Sequence, residues 1–185
     1  MLRLLFILLS VLALPGVVAA AGRRPVLDDI VITSSASHLL LHSEVRDCCS
    51  EEMQLALHRG SPLVFTFQIE LDRVREWWTN RSILSLSVQH TLSYDPQTQN
   101  YLVTLQERNN QLVRTPSLAD AMKLMSQLRG IKLVPGTSME PERSYILRVK
   151  AVLAEKTLPL GLHHVVPLIS LANVETDWRL VEFRY

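Results

Sequence analysis

From Leu63 to Asp72 the chain alternates. Leu63, Phe65, Phe67, Ile69 and Leu71 fall on one parity, and Thr66, Gln68, Glu70 and Asp72 lie on the other. A period of two places successive side chains on opposite faces of an extended strand. The same stretch wound as a helix would have no continuous apolar stripe to bury. The pattern then repeats: Leu84, Leu86, Val88, Leu92 and Tyr94 are set against Ser85, Ser87, Gln89, Thr91 and Ser93. One apolar face and one polar face mark an antiparallel sheet with one side in water.

Other segments join that sheet. Residues 26–33 and 38–46 read as an opening pair of strands, Tyr101, Val103 and Leu105 alternate, and Asn109-Asn110 makes a turn before Leu112-Val113. Asp95-Pro96-Gln97-Thr98 is a turn signal, so residues 81–108 read as a hairpin. Tyr145, Leu147, Val149, Ala151 and Leu153 form a second long stripe, and Trp178–Tyr185 a closing strand. Two helices interrupt the strands. Ser50 caps the first, with Glu51 and Glu52 in its first turn and Met53, Ala56 and Leu57 on its apolar face, and Gly60 and Pro62 stop it. The second spans Ser117–Arg129, with Asp120 three residues after the cap, Leu118, Ala121, Met122, Met125 and Leu128 on its buried face, and Gly130 at its end. Residues 157–176 have no clear period. The expected fold is mainly β with an α+β character: an antiparallel sandwich-like domain of about eight strands and two short helices.

The first twenty-one residues stand apart. Arg3 opens a basic region, Leu4 to Leu14 is apolar except for Ser10, Pro15-Gly16 breaks it, and Ala19-Ala20-Ala21 offers a cleavage site. This is the grammar of a secretory signal peptide, whose apolar core runs roughly 7–15 residues. The alternative is a retained inner-membrane anchor over residues 4–21, since a span needs about 20 apolar residues. The reading is therefore residues 1–21 as leader or anchor and 22–185 as one β-rich domain, in the periplasm or secreted after cleavage. Without Arg3 the chain carries 18 basic against 18 acidic side chains. It has no basic stripe for nucleic acid, and the membrane is a partner only if the leader is retained.

The sequence holds few chemical motifs. Its two cysteines are adjacent, Cys48 and Cys49, so they lack the spacing of a zinc site and can close only a small strained vicinal redox pair, or each pair with another chain. Otherwise they are two small residues at a helix entrance. His38 and His42 share a strand face about 14 Å apart, too far for one ion, and His163-His164 point to opposite faces if extended. His90 falls on the apolar parity of its strand, which singles it out. There is no G-x-S-x-G elbow, H-E-x-x-H or phosphate loop. With six glycines in all, no catalytic residue, metal or cofactor is expected.

Arg73, Arg75, Trp77 and Trp78 form the best candidate surface. In strand geometry Arg73, Arg75 and Trp77 share one side, and Arg with Trp can grip an anion or anchor an interface. The plain alternative is that the tryptophans plug one end of the sandwich while the arginines pair with Glu70, Asp72 or Glu76.

Taken in order, Ala56-Leu57, Gly60, Pro62-Leu63, the long strand, Arg75 with Trp77-Trp78, Tyr94 and Tyr101, Leu158-Pro159 and Asp177-Trp178 make a set that resembles the exported proteobacterial proteins grouped as domain-of-unknown-function family 4390. The resemblance implies a bacterial envelope protein without an assigned activity. Cys48-Cys49 lies outside it. The leading expectation is a non-catalytic interaction or accessory module that binds a protein partner in the envelope through a sheet edge or the Arg/Trp end. Two others stand behind it: a small-ligand binder with a pocket under the Ser117–Arg129 helix, and a hydrolase using His90 in a cleft.

Overall fold

The computed structural model describes residues 24–155 and 174–185. Along the chain these form β1 (Val26–Ser34), β2 (His38–Arg46), α1 (Glu51–His58), β3 (Leu63–Arg73), β4 (Arg81–Asp95), β5 (Asn100–Leu105) and β6 (Gln111–Thr115). They continue with α2 (Leu118–Ser126), β7 (Gln127–Pro135), β8 (Ser144–Glu155), β9 (Val174–Glu175) and β10 (Arg179–Arg184). The strands make two antiparallel sheets. The smaller has the order β1-β2-β7, and the larger runs β10-β8-β3-β4-β5-β6 with β9 paired to β8. The mainly β, sandwich-like expectation holds, with more strands than the eight read from the sequence. β7 and the short β9 account for the difference.

The core lies on the inner face of the larger sheet. Leu63, Phe65, Phe67, Ile69 and Leu71 of β3 are fully buried, as are Leu147, Val149 and Ala151 of β8, which pairs beside it. The smaller sheet contributes Leu27, Leu39, Leu41 and Val45 to the same core. Fully burying side chains of this size stabilises the fold by about 1.5–3 kcal/mol each before entropy is counted. The outer face carries the polar parity. There Arg148 bonds Glu70 at 2.9 Å and Asp72 at 2.6 Å, neighbours on the adjacent strand.

The helices begin where their caps predict. The Ser50 hydroxyl accepts from the Met53 N–H, and Ser117 accepts from the Asp120 N–H, both at 3.2 Å. α1 closes through two reverse bonds, from Gly60 N–H to the Leu57 carbonyl and from Ser61 N–H to that of Ala56. Gly60 takes a φ of 94° there, a left-handed conformation that favours glycine.

α2 ends before the predicted Arg129. It stops at Ser126 and the chain enters β7 directly, so Leu128 is buried on a strand and not on the helix. β7 pairs with β2 from Gln127↔Glu44 to Pro135↔His38, and the register slips between Leu41↔Ile131 and His42↔Arg129. Gly130 is the extra residue at that slip and has a φ of 67°. What reads as a helix stop is a β-bulge. Pairing with β2 satisfies one side of the Gln127–Pro135 backbone, while Leu128, Ile131 and Leu133 reach the core.

Candidate functional site

β3 ends at Arg73, and residues 74–80 form an irregular loop before β4. The Val74 N–H is given to the Ser144 carbonyl at 2.9 Å, one more rung in register with Arg73↔Tyr145, and the chain bends at residues 76–78. Arg73, Arg75 and Trp77 therefore do not share a strand face. The Arg73 guanidinium is paired with Glu140, while Glu70 and Asp72 are taken by Arg148. The tryptophans plug nothing: Trp77 is 88% exposed and Trp78 79% exposed.

The loop forms one wall of an open groove of about 570 Å³, whose other wall is Glu140–Ser144 and Arg184. Charges on that far wall are mutually satisfied. Arg184 bonds Glu142 at 2.7 Å, and Arg143 lies 3.7 Å from Glu140. Two backbone bonds between Glu142 or Arg143 and Tyr185 fix the wall to the end of β10. On the loop side, Arg75 has no ion-pair partner among the described residues. The cation–π contact in the described structure is elsewhere, Lys150 over Trp178. The groove thus presents Arg75, Glu76 and two wet indole rings on a short loop held by paired strands.

Cys48 and Cys49 lie in a different connection, between β2 and α1, and both are free thiols. Burial, with the neighbouring Cys49 thiol next, pushes Cys48 up to about 12, and burial also raises Cys49. Burial thus disfavours the thiolate, the form in which sulfur exchanges, at both positions.

His90 is fully buried, as its parity predicted. Its Nδ1 faces the Met125 carbonyl and its Nε2 the Glu107 carboxylate, each at 3.0 Å, while Phe67 meets the ring edge-on at 5.2 Å between centroids. Both ring nitrogens thus face oxygens, and the Nε2–Glu107 contact is an ion pair when the ring carries both protons. Burial pushes the Glu107 carboxyl up, but the hydrogen bond and charge of His90 outweigh it and hold the group below its ordinary value. With both nitrogens engaged and no exposed surface, His90 is a clamp joining β4, the turn after β5 and α2. It cannot exchange a proton with a substrate in this arrangement.

A second ring cluster ties α1 to the sheet. His58 donates from Nδ1 to the Gln54 carbonyl at 2.8 Å and accepts the Tyr101 hydroxyl at Nε2 at 2.9 Å, with Tyr94 4.9 Å away between centroids. Under α2, Ala121 and Met125 have no exposed surface, so the place proposed for a ligand pocket is filled. The other hollow described, of about 480 Å³, opens between β1 and Trp178–Val181. Among the described residues no three His, Cys, Asp or Glu side chains converge to hold a metal. His163 and His164 lie outside the described residues, as do residues 1–21. Among the residues described, no helix is long and apolar enough to cross a membrane.

Residues 23–182 match the family described as domain of unknown function (DUF4390), and the chain belongs to that family. No curated protein and no solved structure matches the chain.

Proposed function

We propose that this family member is a non-catalytic interaction module of the bacterial cell envelope, which holds a protein partner through Arg75, Trp77 and Trp78. The carrying observation is the pair of adjacent tryptophans, 88% and 79% exposed on a loop anchored at both ends by paired strands. Two indoles left in water forgo burial that a partner can supply, and Trp and Arg dominate interface hot spots. Arg73 belongs to the scaffold, because its charge is already used by Glu140.

Export rests on residues 1–21, with the domain beginning at Gly22. The family match starts at residue 23, one position later, which supports that boundary. N-terminal sequencing of the mature protein should read from Gly22, and an intact N-terminus would favour the anchor.

The test of partner binding is crosslinking of the tagged chain in its native envelope. Arg75→Ala combined with Trp78→Ala should abolish reproducible crosslinks and leave the thermal melt nearly unchanged, because both side chains are exposed. Crosslinks that survive the double substitution sink this assignment of the surface.

A further inference from the structure

β4 outruns the strand that covers it. It spans Arg81–Asp95, and β3 pairs with it from Arg81 to Leu92. β5 pairs only with His90–Asp95, because it ends at Leu105 and turns away. The half from Arg81 to Val88 thus has one ladder made and, among the described residues, no backbone partner on the other side. Gln89 shows which way the free groups point. Its N–H is given to the Gln106 side chain at 2.7 Å, away from β3. Alternation in an antiparallel ladder gives Ser87 and Ser85 the same outward direction.

The other sheet edges are defended. β1 carries a register slip between Asp28 and Val31, and β7 carries Arg129, Lys132 and Pro135. β10 carries Arg179, Glu182 and Arg184, and β6 is five residues long with Arg114. Charges, proline, bulges and shortness are the devices that stop a strand edge from recruiting another chain. From Ser82 to Gln89 β4 has neither charge nor proline, and past the register slip at Ile83 its Leu84–Gln89 run is regular. Leu84 and Leu86, on the apolar parity, are only half-buried beside this edge. The one charge at its start is Arg81, which with Arg75 of the preceding loop has no ion-pair partner among the described residues.

We infer that the open half of β4 is a strand-addition site for an extended segment of a partner protein. The segment lies antiparallel and continues the sheet, with apolar side chains in line with Leu84 and Leu86 and small polar ones in line with Ser85 and Ser87. Its C-terminal end is acidic, because that end lies beside Arg81. Main-chain bonds give such a complex its affinity, and alternate side chains give its selectivity. This inference rests on the interaction reading above and names the partner's chemistry.

The probe is a fluorescent peptide that alternates valine with threonine and ends in two aspartates, titrated into the full chain by anisotropy. Ser87→Pro removes one outward N–H at a position where an edge strand tolerates proline, and should weaken binding at least about tenfold, the scale of one to two hydrogen bonds. The peptide methylated on its threonine amides should also fail to bind. The peptide methylated on its valine amides should bind normally, since those N–H groups face away from β4. This second arm leaves the protein unaltered, so it decides the matter even if Ser87→Pro unfolds. Equal binding of the two methylated peptides overturns the inference, as does absence of any binding at millimolar peptide. Self-association of the chain that Ser87→Pro abolishes also overturns it, by making the occupant a second copy. If envelope crosslinks vanish with the Arg75/Trp78 substitutions but persist with Ser87→Pro, the strand-addition site fails while the interaction reading stands.

Discussion

Glu107→Ala should destabilise the fold by about 3 kcal/mol, because it leaves the buried His90 Nε2 without its carboxylate partner. His90 has no exposed surface and the Glu107 side chain is 12% exposed. Removing one member of a buried ion pair costs roughly 3–5 kcal/mol. The lower end applies because the Glu107 side opens slightly to water, which can reach Nε2 once the carboxylate is gone. Glu107→Gln keeps an acceptor oxygen at the same place and should cost about half as much. The Glu107 carboxyl is held below its ordinary value of about 4.5 in the folded protein. The stability it contributes is complete above that ordinary value and is lost as pH falls through the folded one. The gap between wild type and Glu107→Ala should therefore be widest near neutral pH and close in acid. Urea unfolding followed by far-UV circular dichroism measures it, since Trp77 and Trp78 are already solvated and report little on unfolding. A gap below about 1 kcal/mol at pH 7, or one unchanged in acid, would refute the ion-pair clamp. It would also reopen His90 as a chemical group.

Gly130→Ala should cost about 1–2 kcal/mol through backbone strain alone, because φ is 67° and the nearest atom to an added Cβ is His42 Cε1 at 4.0 Å. A neutral substitution in the same urea assay would refute the bulge. With Cys48 near 12, its thiolate fraction at pH 8 is about one in ten thousand. Intact-mass kinetics with iodoacetamide should show Cys48 at least about a hundredfold slower in the native protein than in urea, and equal rates would restore the redox reading.

The legible parts of this chain were those governed by local rules. β3 was readable because five apolar residues of one parity are all buried on one face. The starts of α1 and α2 were readable because Ser50 and Ser117 are followed by amides within reach of their hydroxyls. The end of α2 was not, because Leu128 fits the helical spacing from Met125 and Gly130 is an ordinary stop signal. Only the ladder with β2 decides between helix and strand there.

The candidate surface was half legible. Composition alone picked out Arg75, Trp77 and Trp78, but their exposure depends on the chain bending at residues 76–78, past the last β3–β8 rung at Val74. Parity singled out His90, whereas Glu107 lies 17 residues away in sequence and the Met125 carbonyl 35 away. No pattern in the sequence marks either as a partner. The open half of β4 was invisible, because a strand edge exists only by comparison with how far its neighbour runs.

Patterning by itself determined the strand faces, the helix starts and the residues of the candidate surface, since each follows from a few adjacent side chains. Tertiary structure decided which of those residues are spent inside the fold and which remain available. Arg73 is consumed by Glu140 and His90 by Glu107, while Trp77, Trp78 and the outward amides of β4 are left over. Availability is a difference between what a group can bond and what its neighbours supply, and those neighbours are brought together only by folding.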